Sequence, residues 1–177
     1  MKKIKLYIAA SIDGYIAGQS GDMDWLIEFP FTPKENYQHD NFTETVDTVL
    51  MGGRTYLEII TMPIVWPYND KKTYIVTRNT MLKNNKGYQY ITKDVVGTVA
   101  RLKEGDGKDI WLVGGGELIA LLLNNELIDE MIINYIPITL GTGTRLFQDC
   151  SKEYFWTLKE AKTFSENVHQ VSYCINK

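Results

Sequence analysis

The 177-residue chain is poor in the residues that build metal centres and disulfide frameworks: two cysteines, Cys150 and Cys174, and two histidines, His39 and His169. None of the four stands in a CxxC or Cys/His ligand spacing, which argues against a zinc site, and no metal is expected. Two cysteines far apart in the chain suit a reducing compartment and read as two buried thiols rather than a disulfide. No apolar run approaches the ~20 residues that span a bilayer, and MKKIKLYIAASIDG breaks into Asp-Gly too soon for a signal peptide. A cytoplasmic protein without a membrane partner is expected. The formal charge is -3 with lysine and arginine scattered, so no basic stripe invites nucleic acid.

What the chain does have is core material: 44% of its residues are hydrophobic and 12% aromatic. Residues 1–177 fit one domain by length. Strands are expected at Lys5–Ala10, 47-DTVLMG-52, 72-KTYIVT-77, 88-YQYI-91, Ile110–Val113 and Glu130–Ile136, the last a near-continuous apolar run of the kind found inside sheets. Helices are expected over Lys34–Thr45, Thr55–Ile60, Asp94–Lys103 with Asp94 as N-cap, and Glu117–Leu123. Phe155–Ala161 and Val168–Ile175 read as a terminal hairpin. This alternation predicts a three-layer α/β/α fold with a mostly parallel sheet and an antiparallel C-terminal pair.

Two strand-glycine-helix junctions stand out, 49-VLMGGRTYLEI-59 and 110-IWLVGGGELIALLL-123. Gly costs about 0.5–1 kcal/mol against Ala inside a helix, so a run of three points to a requirement other than stability. In a parallel α/β sheet such junctions lie at the carboxyl ends of strands, where helix N-termini offer unpaired N–H groups to phosphate. Two junctions suit separated phosphates or a pyrophosphate, although glycine at a strand end also serves simply to make a tight turn. The Rossmann fingerprint is broken, because the third glycine position holds Ile119, and no Walker pattern occurs. At the end of 73-TYIVTRN-79, Arg78 either holds a 2′-phosphate, favouring NADPH, or caps the strand at the surface. The stretch 9-AASIDGYIAGQSGDMDWL-26 reads as a mobile flap over a pocket, with Asp13 and Asp24 as polar site groups. Asp13-Gly14 is equally ordinary turn chemistry, and Trp25 serves as well as a core aromatic.

In this order, IAASIDGYIA, VLMGGRTYLEI, YIVTRN, and WLVGGGELI followed by LIDEMIINYIPITLGTGTRLF resemble the dihydrofolate reductase superfamily over nearly the whole chain. Within it, they are most similar to the reductase domain of bifunctional riboflavin-biosynthesis enzymes. The resemblance implies a sheet of roughly eight strands and an NADPH-dependent, cytoplasmic, homodimeric reductase. It places Arg54 and Thr55 at cofactor phosphate, Thr77 and Arg78 near adenosine, and Ala10 and Ile16 at the nicotinamide pocket. Gly52, Gly53, Gly114, Gly115, Gly116, Glu117 and Leu118 complete the implied cofactor site, with a cis peptide between Gly114 and Gly115.

The departures fall on the substrate side. Pro30 stands where folate reductases carry a pterin-binding carboxylate, with Glu28, Glu35 and Asp40 nearby; Trp25 and Glu28 are taken as substrate contacts. Gly114 stands where riboflavin-pathway reductases keep a glutamate, and the Asp-rich segment they carry is absent from Tyr56–Pro63. Glu117 replaces a basic phosphate contact of some folate reductases. Asp13 or Asp24, through water, is the expected proton source. The expected substrate is pterin-like or pyrimidine-like, as in dihydrofolate reductase or 5-amino-6-(5-phosphoribosylamino)uracil reductase. A non-catalytic nucleotide-binding homodimer of the same fold is the alternative.

Overall fold

A computed structural model describes residues 1–30, 37–79 and 87–176. In chain order the elements are β1 (Ile4–Ser11), β2 (Tyr15–Ala17), α1 (Asp24–Ile27), α2 (His39–Glu44), β3 (Val46–Gly52), α3 (Gly53–Thr61), β4 (Lys72–Val76) and β5 (Gln89–Ile91). There follow α4 (Val95–Glu104), β6 (Asp109–Gly114), α5 (Gly116–Asn124), β7 (Glu130–Ile136), β8 (Thr144–Arg145), β9 (Trp156–Thr163) and β10 (His169–Ile175). Eight strands form one sheet in the order β5-β4-β3-β6-β1-β7-β10-β9, while β2 and β8 pair separately. From β5 to β7 every pairing is parallel; β10 runs antiparallel to both β7 and β9. The expected α/β/α architecture, sheet and terminal hairpin are all present.

Strand alternation divides the core. Leu6 and Ala10 of β1 face a cluster built with Val99 of α4 and Leu118, Ile119 and Leu122 of α5. Between them, Tyr7 joins the opposite layer with Phe42 of α2, Tyr56 of α3, Met51 and Trp111. Further along that opposite layer Ala9 packs beside Trp25 of α1 and Ile136. Asp94 caps α4 as expected, its carboxylate accepting the Gly97 N–H at 3.2 Å.

Four local features differ from expectation. The thiols expected to be buried are free but not enclosed, Cys150 being exposed beyond β8 and Cys174 half-buried in β10. The helix expected over Lys34–Thr45 is described only as His39–Glu44, and Glu35 and the start of that segment lie outside the described residues. Helix α3 starts two residues before Thr55, at Gly53, because φ and ψ turn helical directly after the extended Gly52. The small β2–β8 sheet was not foreseen, since strands of three and two residues carry no readable period. Gly143 admits it: its φ is +135°, and a Cβ there would fall on the Ala17 carbonyl oxygen.

Candidate active site

Register brings the glycine junctions together. Met51 of β3 lies opposite Gly114 of β6, and Gly52 lies opposite Val76 of β4, so three strands end side by side at one sheet edge. Helices α3 and α5 begin there, at Gly53 and Gly116, and neither Gly52 nor Gly115 offers a capping side chain. The first-turn N–H groups of a helix have no intrahelical acceptor, so two such ends meeting form a ready anion cradle. The approach is close: a Cβ on Gly52 would lie 3.6 Å from the Gly115 nitrogen, and one on Gly115 would lie 3.2 Å from Thr55 Oγ1. The peptide Gly114–Gly115 is cis.

Side chains complete the edge. A Cβ on Gly53 would sit 3.0 Å from Thr77 Oγ1, so glycine lets α3 pack against the end of β4. Thr77 Oγ1 accepts the Asn79 N–H at 3.1 Å and thereby shapes the turn that carries Arg78. Arg54 from α3 and Arg78 after β4 converge on Glu117 of α5, with Arg78 Nη2 3.1 Å and Arg54 Nη2 3.9 Å from its two carboxylate oxygens. Leu118 is buried and donates its N–H to Gly115 O at 3.0 Å, closing the first turn of α5. Gly116 is tightly enclosed, since a Cβ would meet the Arg145 carbonyl at 2.9 Å and Gln148 Nε2 at 2.7 Å. Glycine backbone, two arginines, a threonine hydroxyl and two uncapped helix ends fit a pyrophosphate.

On the other side, Ile16 and Ala10 are both buried in the α4/α5 core cluster. Ala10's neighbour Ala9 is the β1 alanine facing the α1 side. Asp13 clasps two loops: it accepts the Ser11 hydroxyl at 2.6 Å and the N–H groups of Gly141 at 2.7 Å and Leu140 at 3.1 Å. The Ser11 bond first, with those backbone donors, holds its pKa below the usual carboxylate value, which suits an acceptor more than an acid. Asp24 and Glu28 lie exposed at the two ends of α1. Trp25 between them is buried, and its indole N–H finds no acceptor among the described residues.

Two further groups had been passed over. Asn134 and Gln170, both buried, meet at 2.8 Å, and Gln170 Nε2 and the Tyr7 hydroxyl donate to the Tyr37 carbonyl at 2.7 and 2.8 Å. Asn134 pairs with Ala9 in register, so this neutral polar cluster shares a face with Trp25. A lone asparagine in the apolar run EMIINYI was the available signal. The second is Glu58 on α3, one turn after Arg54 and against Gly21 of the flap, where a Cβ would lie 3.4 Å from Glu58 Oε1. Burial, aided by Asp22, raises its pKa against the opposing pull of Arg54. Of the basic residues outside that edge, Lys71 binds Asp70 at 2.8 Å and Arg145 lies over the Tyr15 ring.

These features define a reductase-like fold of the dihydrofolate reductase kind, with two glycine-opened helices beginning at adjacent strand ends. The chain belongs to the RibD C-terminal domain family, whose model matches residues 2–170. It is 38% identical over 167 residues to the protein YwjB of Bacillus subtilis (strain 168), covering 94% of this chain and 95% of that one. A provisionally named riboflavin biosynthesis protein from Shewanella sp. PV-4 superposes with a TM-score of 0.87 at 28% identity, over 99% of both chains. Dihydrofolate reductase from Enterococcus faecalis, complexed with NADP(H), gives a TM-score of 0.70 over 99% of this chain and 97% of its own, and at 18% identity shares the fold. Among the described residues no helix is long and apolar enough to cross a membrane, and no cluster of His, Cys, Asp or Glu could hold a metal ion.

Proposed function

We propose that the chain is an NADPH-dependent reductase, one domain over 1–177, acting on a pterin-like or pyrimidine-like small molecule in the cytoplasm. The observation that carries this reading is the meeting of two uncapped helix N-termini across Gly52 and Gly115, flanked by Arg54 and Arg78. In it, Gly52, Gly53, Thr55, Gly115 and Gly116 admit and bind the pyrophosphate, while Thr77 and Arg78 take the adenosine end. When bound, the nicotinamide supplies hydride. The side chains of Ala10 and Ile16 are buried in the core, so in this reading it is their backbone at the strand end that orients the ring, while the chain holds the substrate against it and excludes water.

For the substrate half the reading assigns Trp25, whose buried indole N–H lacks an acceptor, an orphaned state that costs about 1–3 kcal/mol unless a ligand or water relieves it. Among the described residues Asp129 is the one carboxylate in the buried class, and it binds Lys103 at 2.5 Å. The face beside Trp25 carries the neutral groups Tyr7, Asn134 and Gln170, and the Glu166 carboxylate reaches the same cluster by accepting the Tyr37 hydroxyl at 2.9 Å. In this reading Asp24, exposed at the start of α1, passes the proton through water, and Glu28 at its other end contacts substrate. Asp13 serves as a loop clasp in this reading. The exposed apolar residues Phe155 and Leu158 by the hairpin favour a homodimer.

The non-catalytic alternative, a nucleotide-binding homodimer, is favoured by that missing buried carboxylate. One experiment separates the readings: thermal shift with NADPH and NADH, followed by NADPH oxidation with dihydrofolate and with the phosphoribosylamino-pyrimidine. A shift with turnover supports the reductase, a shift without turnover on either supports the binding protein, and no shift at saturation refutes both.

A further inference from the structure

Glu117 is out of place in a phosphate cradle. It occupies the first turn of α5, within the ring of N–H donors that would receive a pyrophosphate, and its carboxylate bridges the two arginines of that cradle. The bridge uses one oxygen per guanidinium: Oε2 lies 3.1 Å from Arg78 Nη2 and Oε1 lies 3.9 Å from Arg54 Nη2. Only the Arg78 contact is of hydrogen-bond length, Arg54 being held by charge alone, and a phosphate seated between the two guanidinium groups would take the same place. The arginines come from different elements, one from α3 and one from the turn after β4, and Glu117 is the group on which both converge.

We propose that Glu117 is an internal competitor for the cofactor's phosphates, a carboxylate seated between Arg54 and Arg78 that ligand phosphate must displace. It acts as the residue setting the balance between nucleotides with and without an extra phosphate. This rests on the phosphate cradle being the cofactor site and adds what the site selects. While Glu117 holds the bridge, the two positive charges of the arginines are cut to a net charge of one. A ligand with a single pyrophosphate can use the backbone N–H groups of α3 and α5 and leave the bridge intact. One with a further phosphate at the adenosine end needs Arg78 itself, so it meets both the competition and the repulsion. All three side chains are largely exposed, at 80%, 95% and 62%, so the bridge is weak enough for a ligand to break.

The test is calorimetric titration of 2′,5′-ADP and 5′-AMP into wild type, Glu117→Gln, Arg78→Ala and the double variant. Glu117→Gln keeps the shape of an exposed side chain, and matching melting curves verify the fold. The expected result is about five- to tenfold tighter 2′,5′-ADP binding by Glu117→Gln at low salt, a smaller gain for 5′-AMP, and a gain that shrinks near 0.5 M salt. In the Arg78→Ala background the gain for 2′,5′-ADP should largely vanish. Wild type and Glu117→Gln binding 2′,5′-ADP equally, or Glu117→Gln binding it more weakly, overturns the competitor role while leaving the cofactor site standing. Binding of neither nucleotide by any variant at millimolar concentration overturns the cradle assignment along with it.

Discussion

Replacing Gly115 by alanine should separate nucleotide binding from folding. The backbone at Gly115 has φ -93° and ψ -168°, a region open to any residue. Alanine there loses less chain entropy on folding, a gain of about 0.4–1 kcal/mol. Against that, its Cβ would sit 3.2 Å from Thr55 Oγ1, a contact the threonine can relieve by a small rotation. Stability should therefore change by less than about 1 kcal/mol. The methyl group, however, projects into the notch between the starts of α3 and α5. A phosphate held there would lose at least one hydrogen bond to a charged group, about 1.5–3 kcal/mol, which is roughly 10- to 150-fold in Kd. The assay is NADPH titration followed by quenching of tryptophan fluorescence, with the melting temperature measured on the same samples. Adding Thr55→Ala should restore space but not affinity if, as proposed, the Thr55 hydroxyl donates to the phosphate. A folded Gly115→Ala protein that binds NADPH within threefold of wild type would falsify the placement of phosphate between the two helices.

Four further outcomes are expected. Gly53→Ala should cost about 1–3 kcal/mol in denaturant unfolding, because its Cβ would meet Thr77 at 3.0 and 3.1 Å; unchanged stability would show that α3 can move away from β4. Lys103→Met should cost about 3 kcal/mol, since it removes the ammonium held at the buried Asp129, which also accepts the Ile4 N–H at 2.9 Å. Burial raises the pKa of Asp47, but Lys2 at 2.7 Å, Thr48 and the Lys108 N–H outweigh it and hold the value at about 2. Stability from Asp47 is then complete above the unfolded pKa and lost as pH falls through about 2, an amount of roughly 1–2 kcal/mol after screening, and Asp47→Asn should flatten that limb of the acid melting curve. Glu58 has the opposite sign: its folded pKa is raised by burial, so the native state binds the extra proton and stability falls as pH rises through that window. Glu58→Gln should remove that fall, and an unaltered pH profile would show that the flap does not bury Glu58.

The two glycine junctions were legible because their geometry is local in the chain. A glycine after an apolar strand, followed at once by a helical pattern, fixes both the turn and the direction of the helix dipole, and it does so twice. The elements missed were those whose geometry depends on distant partners. Strand β2 exists because Gly143, 126 residues beyond Ala17, leaves room for its carbonyl. Ala10 and Ala9 are adjacent and identical in type, yet strand alternation sends one into the α5 core and the other beside Trp25, and no local rule tells which. Asp13 read as a site group from its flap-like surroundings, but its three donors come from Ser11 and from a loop near residue 140.

The same contrast explains why the substrate stays harder to read than the cofactor. Phosphate is recognised by backbone N–H groups, which every glycine-opened helix carries, so the motif and the site coincide. A heterocycle is recognised by side chains gathered across a sheet; the proposed group, Tyr7 from β1, Asn134 from β7 and Gln170 from β10, is ordinary residue by residue in each strand. Their shared burial gives them a common function only after β10 has folded back against β7. A neutral cluster also leaves no charge signature, whereas Arg54, Arg78 and Glu117 are conspicuous as single letters. If Asn134 and Gln170 do read the substrate's polar edge, Asn134→Leu should raise KM for the true substrate while leaving the affinity for NADPH unchanged. A parallel loss of NADPH affinity would mean that the cluster supports the sheet edge as a whole, and the substrate would then have to be read from elsewhere on the face beside Trp25.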